Sequence, residues 1–422
     1  MNWRVIGIGI LGIVLLAVGT PGIADRLIHG HANAGYGTPI PWAMWVVLYV
    51  YFIGLSAGSF LISSLIYVFG VKRFEAVGRM ALFTALVCLM TSLLFIALDL
   101  GHTERAALVL TRPSFSSPLA WIVWLYTIYF ILLLAETWLA IRSSLVEGSN
   151  GKGLKAFLYG ILTFGVRDLS EKSLLRDRNL LKILATIGVP LAIVFHGGVG
   201  SVFAVTIARA YWYTGLFPIM FLVSALASGG ALLTTIAAFV MPNGLTKHKD
   251  LVIGLGQLLA MLLFADVLME IAEILVSLYG TVPAHFIPIY DQLFGPNWYI
   301  FWIMGAGFAL LLPLILLTTV GRRSALWTGL AALVSAVGFV GVRWNIIMPG
   351  FAVEELPGIG QAFFEPSWMY GPYVPTSMEW LVATFLIGVA LVVFALGSWV
   401  LPLGAEPNVH EHQAAFKAGA VE

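Results

Sequence analysis

"GRMALFTALVCLMTSLLFIALDLGHTERA", residues 78–106, decides the fold. Between Met80 and Leu98 the run holds no charged residue, and it then ends abruptly in Asp99, Gly101, His102, Glu104 and Arg105. About 20 apolar residues is the length a helix needs to cross the hydrocarbon core of a bilayer. Working outward, comparable runs fall at 3–20, 42–70, 78–98, 118–141, 180–208, 215–241, 251–279, 298–320, 324–347 and 377–401. They are continuous rather than alternating, so they predict helices and not barrel strands. The whole chain is 60% hydrophobic and 10% charged, with mean hydropathy +0.96, a composition that water cannot solvate as a globule. The expected fold class is all-α transmembrane, with about ten helices.

Arg4 ahead of the first apolar run also suits a secretory signal, but we read that run as a span. The segment "KGLKAFLYGILTFGV" (152–166) is too short to cross and is flanked by Lys, so it reads as an interfacial helix. The single cysteine, Cys88, lies inside a span, which leaves no intramolecular disulfide and no thiolate metal site. A net charge of +1 gives no reason to expect nucleic acid. Basic residues are distributed unevenly. Arg26, Arg105, Arg112, Arg209 and Arg343 fall on one side, and every other Lys and Arg falls on the other. The positive-inside rule then places both termini in the cytoplasm. The opposite, outer face carries Asp25, His29, His31, Asp99, His102, Glu104, His285, Asp291, Glu354, Glu355 and Glu365. Its last loop, 348–376, is rich in aromatics ("FFEPSWMYGPYVP"), either an interfacial belt or a docking surface for a periplasmic partner.

"GLSAGSFLI" (54–62) in span 2 and "ALASGGALL" (225–233) in span 6 both place small residues where helix backbones can approach closely. The same offset of 171 residues carries Asp99 onto Glu270. This predicts two four-helix bundles, spans 2–5 and 6–9, flanked by spans 1 and 10. The expected divisions are 1–41, a first span and loop; 42–208, the first bundle; 215–347, the second bundle; 348–401, the aromatic loop and last span; and 402–422, a cytoplasmic tail. "HEH" at 410–412 in that tail reads as solvated.

Polar groups inside the spans are costly and therefore informative. In span 7, "LFADVLMEIAEIL", Asp266, Glu270 and Glu273 stand at i, i+4 and i+7 on one stripe. Such a column relays protons, binds a cation or ties helices together by hydrogen bonds. Glu136 in span 4 is either an inner port of a proton path or a group that caps or solvates a helix end near Arg142. His196 is the only histidine within a span, so a bis-histidine haem lacks its second ligand. No CxxCH and no cysteine set is present, and no haem, iron–sulfur cluster or metal is expected in this chain.

"PWAMWVVLYVYFIGLSAGSFLISSL", "LDLGHTERA…RPSFSSPLAWIVWLY", "VPLAIVFHGGVGSVFAV…YWYTGLFPIMFLVSALASGGALL" and "YVPTSMEWLV" occur in that order. Together they resemble the NrfD/PsrC-like family, the membrane subunits of polysulfide reductase-type respiratory complexes. The length is similar to the ten-span branch, which includes the membrane subunits of menaquinone reductase (Qrc-type) complexes and alternative complex III. The resemblance implies a quinone oxidoreductase subunit of the bacterial inner membrane, without prosthetic groups of its own. Its substrate would be menaquinone or another quinone. Its partners would be a periplasmic ferredoxin-like iron–sulfur subunit with molybdopterin-type or multihaem cytochrome c subunits. By position, the family's quinone pocket near the periplasmic face matches Tyr49, Asp99 and His196. His102 stands where an arginine is common in the family's pattern.

Residue chemistry agrees with that implication. Quinone reduction takes two electrons and two protons, so its carbonyls need donors and a titratable group nearby. Tyr49 or His196 would bond a carbonyl, and Asp99 would exchange a proton. His102 would share the helix face if the helix continued. Asp99 as a mere cap for the following turn is the bland alternative. In some relatives the span 7 acids and the second bundle are candidates for proton translocation. From another class comes an ion-coupled secondary transporter built on the span 7 carboxylates, with Pro190 and "HGGVG" as a helix break. A passive membrane anchor leaves three buried carboxylates unexplained.

Overall fold

Backbone N–H and C=O groups inside apolar segments have no partner but each other, so each apolar run closes into a helix. The computed structural model describes residues 3–36, 40–351 and 373–404. Ten helices in it are long and apolar enough to cross a membrane. They are α1 (Trp3–His29), α2 (Met44–Tyr67), α3 (Gly78–Asp99), α4 (Pro118–Ser149) and α5 (Glu171–Ala204), then α6 (Phe217–Phe239), α7 (Lys249–Gly280), α8 (Ile300–Thr318), α9 (Ala325–Ile347) and α10 (Ser377–Val400). The all-α transmembrane expectation holds. The aromatic stretch 352–372, with Glu354, Glu355 and Glu365, and the tail 405–422 with its HEH lie outside the described residues.

Local chemistry sets the ends. Ser170 opens α5 by accepting from the Ser173 N–H, and Ser324 opens α9 the same way from Trp327. Thr376 and Glu379 form a reciprocal capping box at the start of α10. Pro118 sits in the first turn of α4, where its missing N–H costs nothing. Helix α5 runs unbroken through Pro190 and the HGGVG run, so the break that a transporter reading wanted there is not formed. Helix α8 is wound as a π-helix over Ile300–Leu311, and Ser335 of α9 donates to its Ala309 carbonyl at 2.7 Å. The 152–166 segment forms a short helix, Leu154–Leu162. It is tied to α10 by Lys155 donating to the Trp399 carbonyl and Tyr159 to that of Val400. Leu154, Phe157 and Ile161 project outward on one stripe of it, the pattern of a helix lying in the membrane interface.

Helices α2, α3, α4 and α5 pack among themselves, as do α6, α7, α8 and α9, while α1 and α10 lie along each other. The two groups meet where α2 and α5 pack on α6 and where α9 packs on α2. At the α2–α6 crossing, Gly58 faces Gly229, its counterpart 171 residues on. A Cβ at Gly58 would lie 2.7 Å from Gly229 Cα and from the Leu226 carbonyl oxygen. A Cβ at Gly229 would lie 2.6 Å from Gly58 Cα and from the Leu55 carbonyl oxygen. Leu55 and Leu226 are also 171 apart, so equivalent residues meet pairwise, as they do about a twofold axis. Lipid tails are as apolar as Leu, so this contact is held by close van der Waals packing that only glycines permit.

Candidate functional site

The face where α1, α3 and α5 end has no lysine in the sequence and is called the lysine-free face. There α3 stops at Asp99 because Leu100 turns extended. Arg26, buried at the end of α1, donates from Nε to the Leu98 carbonyl at 2.8 Å and from Nη2 to that of Leu100 at 2.9 Å. It thereby caps the negative end of the α3 dipole. Tyr36, in the loop after α1, donates its hydroxyl to Asp99 Oδ1 in a short hydrogen bond. Burial and the Asp99 charge hold the Tyr36 phenol far above its usual range, so it remains a donor. His31 stacks on Tyr36 at 5.1 Å and lies 5.8 Å from the Trp45 ring. Burial and the nearby Arg26 cation hold its imidazole below the usual value.

Glu379 completes this cluster. Its carboxylate is fully buried and accepts from the Tyr373 hydroxyl, the Gly35 N–H at 3.0 Å and the Thr376 N–H at 2.9 Å. Its backbone carbonyl accepts from Trp45 Nε1 at 3.1 Å. Asp99 is therefore clamped between α1, α2, α3 and α10, and no side-chain bond from it caps the following turn. His102 does not join it. With α3 ended, the imidazole is exposed and pairs with Glu104 at 2.8 Å.

Seven residues before Asp99, about 10 Å deeper on the same stripe of α3, Ser92 lies 3.0 Å from the Tyr126 hydroxyl. Tyr126 donates to the Leu89 carbonyl, and Tyr49 lies within electrostatic reach of it. His196 is 1% exposed, edge-on to Tyr129 at 5.7 Å, with Nδ1 2.6 Å from the Ala192 carbonyl oxygen. A carbonyl only accepts, so Nδ1 carries the proton and Nε2 presents a bare lone pair. Neither Nε2 nor the Tyr129 hydroxyl makes a close hydrogen bond, and the Ile53 backbone and Ser56 are their looser partners. The residues proposed from the sequence thus divide. Tyr49 and His196 line the interior of the first bundle with Tyr126, Tyr129 and Ser92, while Asp99 sits above them in its own clamp.

Glu136 is 0% exposed, with both carboxylate oxygens unpartnered. It faces Gly188 of α5, where an added Cβ would lie 3.2 Å from Oε1. The expectation that it caps or solvates a helix end near Arg142 is not met, since Glu136 is buried within α4 and makes no hydrogen bond. Six residues along a helix is a turn of about 240°, so Arg142 points elsewhere. It pairs with Asp177 and donates to the Asp168 carbonyl and Ser173.

In the second bundle Asp266 is 3% exposed, with Oδ2 unpartnered, and Glu270 and Glu273 are half-buried. Those two lie near Tyr211, which donates to the Asn345 carbonyl at 2.8 Å. Burial together with the two carboxylates holds the Tyr211 phenol well above its usual value. Among the described residues no three His, Cys, Asp or Glu side chains converge as metal ligands. Sequence reading missed Tyr36, Arg26, Tyr126 and Glu379. Only Glu379 carried a local signal, the Thr-x-x-Glu of a capping box.

The model of the family described as "Polysulphide reductase, NrfD" matches residues 33–354. A selenate reductase subunit from Mesobacillus selenatarsenatis is 37% identical over 96% of this chain and 94% of its own. The Hdr-like menaquinol oxidoreductase integral membrane subunit of Archaeoglobus fulgidus is 26% identical over 95% of each. The menaquinone reductase integral membrane subunit of Nitratidesulfovibrio vulgaris is 21% identical over 89% of this chain and 86% of its own. The family match begins after α1 and stops before α10, whereas these relatives run through most of the chain.

Proposed function

This chain belongs to the polysulphide reductase, NrfD family, and on that premise we propose that it passes electrons between menaquinone or a related quinone and a catalytic reductase. The ring would sit in the first bundle beneath Asp99, and the observation that carries this is the Tyr49–Tyr126–Ser92–His196 interior. Hydroxyls and an imidazole stand there among apolar core side chains, the mixture a quinone head requires. Quinol oxidation breaks two O–H bonds and releases two electrons and two protons. His196 Nε2 accepts a proton, and Asp99 with its Tyr36 partner exchanges one with water at the lysine-free face. The more similar relatives named above are a selenate reductase subunit and a menaquinol oxidoreductase subunit, which favours quinol as the electron donor.

The charge asymmetry supports an inner-membrane orientation with both termini cytoplasmic and the lysine-free face periplasmic. The electrons would leave at that face to a ferredoxin-like iron–sulfur subunit, joined to molybdopterin-type or multihaem cytochrome c subunits. No prosthetic group is assigned to this chain. Glu136 in the first bundle and Asp266 in the second, both buried, with half-buried Glu270 and Glu273, would supply carboxylates for proton translocation coupled to that transfer.

A fluorescence-quenching titration with a quinol analogue tests the site, on the intact complex and on Tyr126→Phe and Tyr49→Phe variants. Saturable quenching weakened about 10-fold by loss of one hydrogen bond to the ring is expected. An absence of saturable quenching in the unaltered complex would sink the quinone reading.

A further inference from the structure

Glu379 does more than a capping glutamate needs to do. In a capping box the side chain turns back to one N–H of its own chain, and here that is the Thr376 N–H at 2.9 Å. The same Oε2 also accepts from the Gly35 N–H at 3.0 Å, across 344 residues of sequence. Oε1 accepts from the Tyr373 hydroxyl, which in turn accepts from the Met44 N–H at 3.1 Å. One fully buried carboxylate thereby joins the start of α10 to the loop after α1 and, through Tyr373, to the first residue of α2. A buried carboxylate is costly to keep, and a helix cap alone does not require it to be sealed from water.

What the extra bond holds is the residue beside it. Gly35 immediately precedes Tyr36, whose hydroxyl donates to Asp99. The Asn33 carbonyl accepts from Thr376 Oγ1 at 2.9 Å, so the loop is fixed to the α10 start on both sides of Ala34. The fit is close. A Cβ at Gly35 would lie 3.0 Å from Tyr373 Cε2, 3.1 Å from the Val374 carbonyl oxygen and 3.2 Å from Glu379 Oε2. Tyr36 also packs against Trp45 at 5.7 Å, and Trp45 Nε1 donates to the Glu379 backbone carbonyl at 3.1 Å. Glu379 thus fixes both the backbone that carries the phenol and a ring it rests against. It lies beyond residues 33–354, the stretch that the family model matches, whereas Tyr36 and Asp99 lie within it.

We propose that Glu379 is a positioning residue for quinol oxidation, holding the Tyr36 hydroxyl on Asp99 through the Gly35 N–H and Trp45. This rests on the quinone reading, in which Asp99 exchanges a proton at the lysine-free face. Glu379 touches neither the quinone nor the proton in transit. It acts through reach and not through charge: Tyr36 stays on Asp99 while an acceptor stands where Oε2 stands.

Two substitutions separate reach from charge. Glu379→Asp keeps the charge but withdraws the acceptor by one methylene, about 1.5 Å, so the Gly35 bond breaks. Glu379→Gln loses the charge but keeps an oxygen for the two N–H groups, and its NH2 donates to the Tyr373 hydroxyl. In the intact complex Glu379→Asp should lower kcat for quinol about 10-fold, the effect of losing one charge-assisted hydrogen bond, with KM and quinol-analogue quenching unchanged. Glu379→Gln should keep most of the rate. Equal rates in the two, or the reverse order, overturn the proposal. Tyr36→Phe should lose about as much as Glu379→Asp, and the double variant no more than either; additive losses refute the coupling. A map of the Glu379→Asp complex should show the Tyr36 hydroxyl more than about 3.5 Å from Asp99. A retained bond refutes the proposal, whatever quinone does. Loss of saturable quenching in the unaltered complex strikes the quinone reading and leaves the map test standing.

Discussion

Replacing either glycine at the α2–α6 crossing by alanine measures how the two bundles are joined. The new Cβ would stand 2.6–2.7 Å from backbone atoms of the opposite helix, whereas carbon atoms rest about 3.5–4.0 Å apart. No flexible side chain is in the way to swing aside, so the helices must part by about 1 Å. That forfeits a quarter to a half of the attraction at each contact. Over a few tens of atom pairs of about 0.1–0.2 kcal/mol, the cost is about 1–3 kcal/mol. Thermal unfolding in detergent, followed by tryptophan fluorescence, should show Tm lowered by about 2–5 °C in Gly58→Ala or Gly229→Ala. The double variant is the sharper test. Each glycine is the other's neighbour, so one parting of the helices accommodates both methyl groups. The double variant should cost less than the sum of the singles by about 1 kcal/mol. Gly7→Ala is the control, since nothing lies within 4 Å of its Cβ, and it should be neutral or slightly stabilising. Neutral single variants, or strictly additive ones, refute the paired crossing.

Arg26→Met removes two charge-assisted bonds to the last carbonyls of α3 and should destabilise the protein by about 2–4 kcal/mol. Amide exchange should rise around Leu98–His102 before it rises elsewhere, and uniform exchange would contradict the cap. His31 gives a pH dependence. Its value is lowered in the folded protein, so the unfolded chain binds more protons, and this contribution is present above the unfolded value of about 6.5 and lost as pH falls below it. Fluorescence of the neighbouring Trp45 should therefore change on acidification through that range and stay flat in His31→Phe, and a matching change in His31→Phe would refute the assignment.

The helices were legible because bilayer thickness imposes one length on every apolar run, and no tertiary contact is needed to see it. The α2–α6 crossing was legible because close approach demands small residues at helical spacing, as in GLSAG and ALASGG. The site was legible only in part. Asp99 and His196 stood out as polar groups in apolar surroundings, but their partners come from elsewhere in the chain. Tyr36 reaches Asp99 from 63 residues away, and Tyr373, just before α10, closes the same cluster with Glu379 of α10. Such meetings depend on how helices pack, and periodicity along one helix carries no record of its neighbours. His102 shows the converse error: spacing placed it on the face of Asp99, but the helix stopped first. Arg142 was close to Glu136 in sequence and angularly opposed in space.

The pairing of α1 with α10 sets a timetable for assembly. Roughly 350 residues separate the end of α1 from the start of α10, and at about 5–20 residues per second synthesis takes about 20–70 s to bridge them. During that interval α1 lacks the helix it will lie against. Arg26 gives it an earlier anchor, because the Leu98 and Leu100 carbonyls arrive long before α10 does. The same guanidinium that caps α3 in the finished protein thus also holds α1 in place while α10 is still being made.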